Sequence, residues 1–361
     1  PSENVKINYF RGVKAGRKNL VIHYVDKLHI GTAILDNTQG GAPNWTGSNS
    51  LDLEPDDFTG SREFYQRIDY LSTIGKGNDF TVGRSENLSE KWILDIGTFD
   101  CRVTGTTGNA IIIYALTLRV SNFILTSKDG TTGGGVSGAF SPVIEIGTGY
   151  IENINGRTFD VQASGGGKPK VRIGNLKING KNLTNSAGIY VQGGDLYIGN
   201  YDCRNISNRI LQSHATTSDH QITIENVVSR NCGSGQLFYL STFLDSKANT
   251  HINNITVFDD RDTKVSRIIE FATSNAMLGT TIGTIRNPHG IQEWATSYGN
   301  FKRCLKLAGG TVLPAVYIVE DSPEGILAAP VGSIAMRING GAGTCLYVKE
   351  SGTGNTGWVA K

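Results

Sequence analysis

The sequence lacks a strong net charge and long apolar runs. Its 361 residues carry 34 Lys and Arg against 32 Asp and Glu, a formal net charge of +2. This balance excludes a general electrostatic attraction to nucleic acid or to an anionic membrane surface. The longest apolar stretch, NAIIIYALTL, is too short to span a bilayer. We therefore expect neither nucleic acid nor membrane as a partner, and any charged ligand must be met by local groups.

The cysteines are also sparse. There are five of them, widely scattered and never in a CxxC pair, which predicts neither a disulfide framework nor a zinc site. Walker loops, nucleophile elbows and HExxH helices do not occur, and the acidic stretch DDRDTK at 259–264 is more typical of a solvated loop than of a cation site. We therefore expect no metal and no cofactor. Methionine is rare at 2 residues whereas glycine reaches 46, a composition typical of strands and turns.

A short motif recurs along the chain. ILDIGT at 93–98 returns as VIEIGT at 143–148, and anchors of an aliphatic, a small or polar residue, and Asn or Thr recur at spacings of 24 to 30 residues. The eight anchors begin at Ile96, Val120, Ile146, Ile173, Ile198, Ile224, Ile252 and Ile282. In most units an aliphatic residue lies two positions earlier, so both side chains point to one face of a strand. A second aliphatic strand follows in several units, as in GIYVQ at 188–192.

Such units cannot bury their apolar faces alone and must stack on copies of themselves. We predict an all-β fold, a right-handed parallel β-helix over residues 91–308, with the Asn and Thr side chains stacked as ladders. A β-sandwich is the alternative, but it requires hairpin turns every 8 to 12 residues or so. Residues 1–90 fit the ladder poorly and are expected to form an irregular region with early rungs. Residues 309–361 are expected to form a small strand-rich cap.

The closing segment PVGSIAMRINGGAGTCLYVKESGTGNTGW resembles the end of bacteriophage tailspikes and tail fibres, with its Tyr-Val-Lys-Glu and Gly-Trp pattern. The predicted solenoid is similar to the β-helix of tailspike depolymerases, which are homotrimers that cleave host capsule or O-antigen polysaccharide. The resemblance implies an endo-acting glycoside hydrolase of the phage tail, attached to the virion baseplate or tail through a part upstream of Pro1. It also implies that residues 309–361 trimerise; a cap on a monomer is the alternative.

In each unit the residue between the two inward aliphatic positions points outward. These residues form a column, and two of them are acids. Asp95 and Glu145 lie two rungs apart in this column, roughly 10 Å at the backbone, with Arg119 between them. Side-chain tilt would bring the carboxyls to the spacing of an inverting glycosidase, about 6.5–9.5 Å, where one acid protonates the leaving oxygen and the other activates water. Arg119 and Tyr197 of the same column are expected to bind substrate. A surface ladder of alternating charge is the alternative.

A second outward column combines acids and aromatics. It contains Asp160, Tyr190, Tyr239 and Glu270; the tyrosines are candidates for stacking on sugar rings and the acids are second choices for catalysis. Gln212 and His214 lie on or near the same wall and are candidates for binding sugar hydroxyls. A solvated face with incidental tyrosines is the alternative.

Two other functions remain open. A polysaccharide lyase needs a base and a cation beside a uronate carboxylate, roles for which His214, Tyr239, Arg209, Arg267 and Lys302 are candidates. A non-enzymatic adhesin would bind the same glycan in the same groove. The carboxylates in both columns favour hydrolysis.

Overall fold

The protein is a parallel β-solenoid followed by a small separate sheet. The computed structural model describes residues 2–13, 20–22, 25–36, 51–53, 63–75, 80–82, 92–104, 109–114, 116–128, 130, 134–138, 142–163, 167–215, 220–242, 249–272, 280–296, 301–306 and 315–361. Two sheets have eleven strands each and a third has five. Within these ranges, no helix is long and apolar enough to cross a membrane. The predicted all-β fold and its parallel stacking are confirmed.

The first sheet is made of the longer strands, each paired in parallel with the next. In order they are β1 (Ser2–Val13), β3 (Val25–Asp36), β5 (Phe64–Gly75), β7 (Trp92–Val103), β9 (Thr117–Ser127), β11 (Val143–Glu152), β13 (Lys170–Asn179), β15 (Gly194–Arg204), β17 (His220–Arg230), β19 (Asn249–Phe258) and β21 (Thr280–Arg286).

The second sheet is made of the short strands that alternate with them, also in parallel. In order they are β2 (Leu20–Ile22), β4 (Leu51–Leu53), β6 (Phe80–Val82), β8 (Asn109–Ile113), β10 (Gly134–Gly138), β12 (Arg157–Gln162), β14 (Ala187–Gln192), β16 (Leu211–Ala215), β18 (Gln236–Thr242), β20 (Arg267–Phe271) and β22 (Gln292–Thr296).

The long strands bend around a corner. In β11, Ile144 and Ile146 point inward, Gly147 and Thr148 both face solvent, and inward alternation resumes at Gly149. Two consecutive outward residues break the two-residue period of a strand, so the chain changes direction there. Each turn of the solenoid therefore has three faces. We call the halves of the first sheet before and after the corner the first and second faces, and the second sheet the third face.

The inward positions form one continuous core. The first seven anchors and the aliphatic residues two positions before them are almost fully excluded from solvent, as Leu94, Ile144, Ile173 and Ile198 illustrate, whereas Ile282 at the last anchor is partly buried. Side chains at equivalent positions of successive turns lie about 4.8 Å apart and pack on each other along the axis. Stacking thus supplies the apolar burial that no single unit provides.

The Asn residues after the corner form the predicted amide ladder. Asn175, Asn200, Asn226 and Asn254 are aligned on successive turns. Asn200 Nδ2 donates to Asn175 Oδ1 at 2.8 Å, and the next two amides repeat this contact at 3.0 Å. The ladder ties the corners of neighbouring turns together.

Replacing Asn200 by Ala removes two of these hydrogen bonds. We expect the free energy of unfolding to fall by about 1–2 kcal/mol, because each amide hydrogen bond contributes about 0.5–1.5 kcal/mol. Chemical denaturation of the wild type and the variant measures the difference. Asn122→Ala is the matched control, since Asn122 lies in the same column between Thr98 and Thr148. An equal loss in both variants would contradict a stabilising role for the amide ladder.

The solenoid begins and ends earlier than the sequence indicated. Strands between residues 2 and 82 stack in the same two sheets as the later ones, so the ladder reaches well into the region expected to be irregular. Connections of unequal length, such as the one between β3 and β5, hide its period. Trp45 and most of the polar stretch around it lie outside the described residues. At the other end, the solenoid predicted to reach residue 308 ends with β22, and the next strand, β23 (Phe301–Lys306), pairs instead with β24 (Ala315–Val319).

The C-terminal sheet has the order β23, β24, β25 (Ile334–Arg337), β26 (Leu346–Lys349) and β27 (Trp358–Ala360). Its buried face packs on Leu327 and Ala329. The Lys349 side chain is fully buried, and its ammonium donates to the carbonyl oxygens of Gly354, at 2.9 Å, and of Thr356. Trp358 Nε1 donates to the Leu327 carbonyl at 2.7 Å. The Lys and Trp of the closing motif are therefore structural residues of this module.

The other face of β24 to β27 is apolar and partly exposed in the described part of the chain. Alternation brings seven aligned side chains to it: Val316, Ile318, Ile334, Met336, Leu346, Val348 and Val359. Met336, Leu346 and Val359 are 43%, 38% and 39% exposed. We call these seven residues the outer apolar face.

Asp259, the first residue of the acidic stretch at 259–264, forms an ion pair within that stretch. The Asp259 carboxylate pairs with the Arg261 guanidinium at 2.7 Å and accepts the Val265 amide at 2.8 Å. Burial alone would raise the pKa of Asp259, but the bonds from Arg261 and the Val265 amide outweigh it and lower that pKa. Arg261 thus supplies the positive charge that a cation would otherwise bring.

Replacing Asp259 by Asn is expected to lower the free energy of unfolding at pH 7 by about 1–3 kcal/mol, because the buried side chain at 259 then no longer forms a charged pair with the half-buried Arg261 guanidinium. Since the folded-state pKa is depressed, the ionised carboxylate stabilises the wild type above the unfolded pKa, about 3.9, and that contribution disappears as pH falls below this value. Denaturation curves recorded at decreasing pH should therefore show that the difference in free energy of unfolding between the wild type and Asp259→Asn shrinks as pH falls below about 4. Asp260→Asn is the control, since that side chain is 77% exposed; an equal effect would refute the assignment.

Candidate functional site

The first face carries a column of alternating charge, as the sequence predicted. Arg67, Asp95, Arg119, Glu145 and Arg172 are direct neighbours on successive turns. Arg119 Nε contacts Glu145 Oε2 at 3.0 Å, and its Nη1 lies 3.9 Å from Asp95 Oδ1. Two turns separate the carboxylates, about 10 Å at the backbone. We call this set, with Tyr197 on the next turn, the charged column.

Asp95 has a second partner beyond Arg119. The Tyr65 hydroxyl donates to Asp95 Oδ2 at 2.6 Å. This hydrogen bond to the carboxylate, followed by partial burial, raises the pKa of Tyr65. Glu145 is more open, with 41% of its side chain exposed. The two candidate acids therefore differ: Asp95 is held by a phenol, whereas Glu145 faces solvent with Arg119 as its ion-pair partner.

A strip without side chains runs beside the charged column. The corner position is occupied by Gly147, Gly174 and Gly199 on consecutive turns. A Cβ at Gly174 would lie 2.6 Å from the Gly147 carbonyl oxygen, and one at Gly199 would lie 2.6 Å from that of Gly174. A side chain at Gly174 or Gly199 would therefore require the facing backbone to shift. The strip lowers the surface next to a wall of long side chains.

The result is a groove of about 780 Å³ on the first face. Ser121, Gly147 and Gly174 lie along its floor. The charged side chains that line it are Arg119, Glu145, Lys170, Arg172 and Asp195, and Tyr197 and Thr223 extend it. Of the favoured catalytic pair, only Glu145 lines the groove. A volume of this size accommodates a few sugar units.

Sequence reasoning missed two residues of the groove, Lys170 and Asp195. They are direct neighbours, two positions before Arg172 and Tyr197 on their strands. The two-residue period of a strand places them on the same face as the charged column. Their positions, two residues before Arg172 and Tyr197, are the sequence signal that identifies them. Glu225 occupies the corner position one turn after Gly199 and thus ends the glycine strip. It accepts a hydrogen bond from Asn253 Nδ2 on the next turn.

The second column of candidates is aligned on the third face. Asp160, Tyr190, Gln212, Tyr239 and Glu270 are neighbours on consecutive turns. The two acids of this column are four turns apart, about 19 Å at the backbone. They cannot act as a pair on one glycosidic bond. Each is instead paired locally, by an Arg three residues earlier on its own strand.

Arginines cover the tyrosines of this column. The Arg157 guanidinium lies 3.5 Å from the centre of the Tyr190 ring, and that of Arg209 lies 4.1 Å from the Tyr239 ring. Tyr190 is only 6% exposed. A sugar ring needs an open aromatic face, so the stacking predicted for Tyr190 has no room here, and one face of Tyr239 is occupied. The strand pattern does not indicate this, because Arg157 is the first residue of β12 and Arg209 precedes β16, so neither belongs to the outward column.

The lyase candidates lie on the same face. Burial, followed by the charge of Arg157, lowers the pKa of His214, which keeps the imidazole neutral and basic at pH 7. His214 pairs with Ser241, two residues after Tyr239. A cleft of about 230 Å³ nearby is lined by Arg157, Arg209 and Gln212. Lys302 lies on β23, whose side chains are outside the described part.

Among the described residues, no group of three or more His, Cys, Asp or Glu side chains is placed to hold a metal ion. Cys101, Cys203 and Cys232 are buried and Cys345 is exposed.

Comparison with known proteins adds no relative to this picture. No protein-family model, no curated protein and no solved structure matches the chain. The fold and the groove are therefore the basis for a functional conclusion, and the parallel β-solenoid is compatible with proteins that act on polysaccharides.

Proposed function

We propose that this protein binds a bacterial surface polysaccharide in the groove of the first face and cleaves it by hydrolysis, as tailspike depolymerases do. The observation that carries the proposal is the groove itself, in which the open carboxylate of Glu145 lies beside a side-chain-free floor and the exposed ring of Tyr197. A linear polymer fits a trough that runs along stacked turns. The resemblance of the closing segment to tailspikes supports the same assignment.

In the proposed mechanism, Glu145 and Asp95 act as the acid and the base of an inverting hydrolase. Their backbone separation of about 10 Å leaves space for a water molecule when the side chains tilt toward each other. Arg119 lies between them and must shift toward one acid when the glycan binds. Tyr65 holds Asp95 in place through its hydroxyl.

A non-catalytic adhesin is the second candidate, and the position of Arg119 favours it. The Arg119 guanidinium lies between the two carboxylates, in the space that the scissile bond and the attacking water need in an inverting hydrolase. The charged column would then be a surface ladder, and the groove would serve attachment alone.

Incubation with a panel of purified capsular and O-antigen polysaccharides tests the proposal. Mass spectrometry of the products distinguishes the outcomes. Oligosaccharides that have gained water support hydrolysis. Unsaturated products indicate a lyase and direct attention to His214 and Tyr239, while binding without cleavage indicates an adhesin. Absence of binding to every polymer would refute the proposal as a whole.

We also propose that three chains assemble through the C-terminal module, placing the protein as a trimeric spike of a phage tail. The outer apolar face supports this, because seven aligned apolar side chains, three of them exposed among the described residues, are typical of an interface. Every copy carries the same face, so association of identical chains buries all copies together.

A further inference from the structure

We infer that the polysaccharide bound in the groove is acidic, and that Lys170 and Arg172 hold the carboxylate of one of its sugar units. This inference rests on the proposed function and names its substrate class. The evidence is the charge pattern of the groove.

Both acids of the groove already have cationic partners. Glu145 pairs with Arg119 at 3.0 Å. Asp195 pairs with Lys168 Nζ at 2.8 Å and accepts a hydrogen bond from the backbone N–H of Gln221 at 3.1 Å. Two positive side chains of the groove, Lys170 and Arg172, remain outside these pairs.

Arg172 differs from three arginines elsewhere in the solenoid. Arg102, Arg204 and Arg261 each pair with an acid two residues earlier on the chain, at 2.7 to 3.0 Å. The side chains of Arg172 and Lys170, by contrast, form no hydrogen bond or ion pair with any residue that the structure describes. Both are exposed, although Glu145 is the direct neighbour of Arg172 on the preceding turn. The groove thus presents two positive charges without protein partners.

The arrangement suits a sugar that carries a carboxylate. Lys170 and Arg172 are two residues apart on β13, about 6.7 Å at the backbone, and point to the same side. Their long side chains can converge on one anion, with the guanidinium donating two parallel hydrogen bonds to a carboxylate. Tyr197 lies beside Arg172 on the next turn and is 41% exposed. A sugar ring stacked on Tyr197 would place its carboxylate over the two cations.

The test uses an array of purified capsular and O-antigen polysaccharides, both acidic and neutral, with a carboxyl-reduced counterpart of each acidic polymer. Three proteins are compared: the wild type, the double variant Lys170→Gln/Arg172→Gln, and the control Lys177→Gln. Lys177 is an exposed lysine of the same strand on the second face, so the control removes a charge outside the groove. All substitutions are at exposed positions.

We expect the wild type to bind an acidic polymer and to lose about tenfold or more in affinity after carboxyl reduction. The double variant should bind the native polymer about ten- to a hundredfold more weakly, the range for charge-assisted hydrogen bonds, and should bind the reduced polymer like the wild type. The control should bind like the wild type. Higher ionic strength should weaken wild-type binding more than binding of the double variant.

Two results would overturn the inference while leaving the proposed function intact. One is binding only to neutral polymers, and the other is unchanged affinity after carboxyl reduction. Binding to no polymer at all would instead refute the proposed function, and the inference with it.

Discussion

Replacing Glu145 by Gln is expected to slow polysaccharide cleavage by about a hundred- to ten-thousandfold, the contribution of a positioned acid or base. The reason is that Glu145 is the acid of the charged column that lines the groove. The substitution keeps shape and hydrogen bonding but removes proton transfer, so binding should change little. Rates are measured as reducing ends released from the polysaccharide that the protein cleaves.

Glu152→Gln is the matched control for this variant. Glu152 lies on the same strand, β11, but past the corner on the second face, where it bonds Asn179 at 3.2 Å. Its replacement should leave the rate unchanged. Asp95→Asn should reduce cleavage as Glu145→Gln does if the two acids act together. Full activity of both Glu145→Gln and Asp95→Asn would remove the charged column from the mechanism.

Introducing lysines at Met336 and Leu346 together is expected to convert a trimer into monomers. The two side chains are direct partners on β25 and β26, in the middle of the outer apolar face. Buried in an interface, two ammonium groups per chain would cost several kcal/mol each without acidic partners. Sedimentation equilibrium measures the number of chains per particle, with three expected for the wild type and one for the variant.

Ile326→Lys is the control for this experiment. Ile326 is 48% exposed and also belongs to the C-terminal module, but it precedes Leu327, which packs on the opposite face of the sheet. Its replacement should leave three chains associated. A wild type that is monomeric at all concentrations, or a double variant that remains trimeric, would show that the outer apolar face is not the trimer interface.

The repeat made the solenoid predictable from the sequence. Anchors such as Ile146 and Ile173 recur because each turn must present the same inward aliphatic residues to the next. The corner is not predictable in the same way, because Gly147 and Thr148 are as compatible with the end of a strand as with a bend inside one long strand. Early rungs are predicted within residues 1–90, but their number is not, because their connecting segments differ in length.

The candidate site was predictable to the extent that strand register determines it. The outward positions of Asp95, Arg119 and Glu145 follow from the period of two and are confirmed as direct neighbours. The groove itself follows from the absence of side chains in the glycine strip, which no pattern of functional residues reveals. The covering of Tyr190 by Arg157 depends on the side chain of the first residue of the neighbouring strand β12, and strand register alone does not predict which way that side chain extends.

A crystal structure of the Glu145→Gln variant with an oligosaccharide of its polysaccharide tests most directly whether the glycan binds in the groove of the first face. The account predicts sugar density along the strip of Gly147 and Gly174, with one ring on Tyr197 and a carboxylate at Lys170 and Arg172. Density instead along the third face, beside Asp160 and Tyr239, or between chains away from the groove, would contradict it.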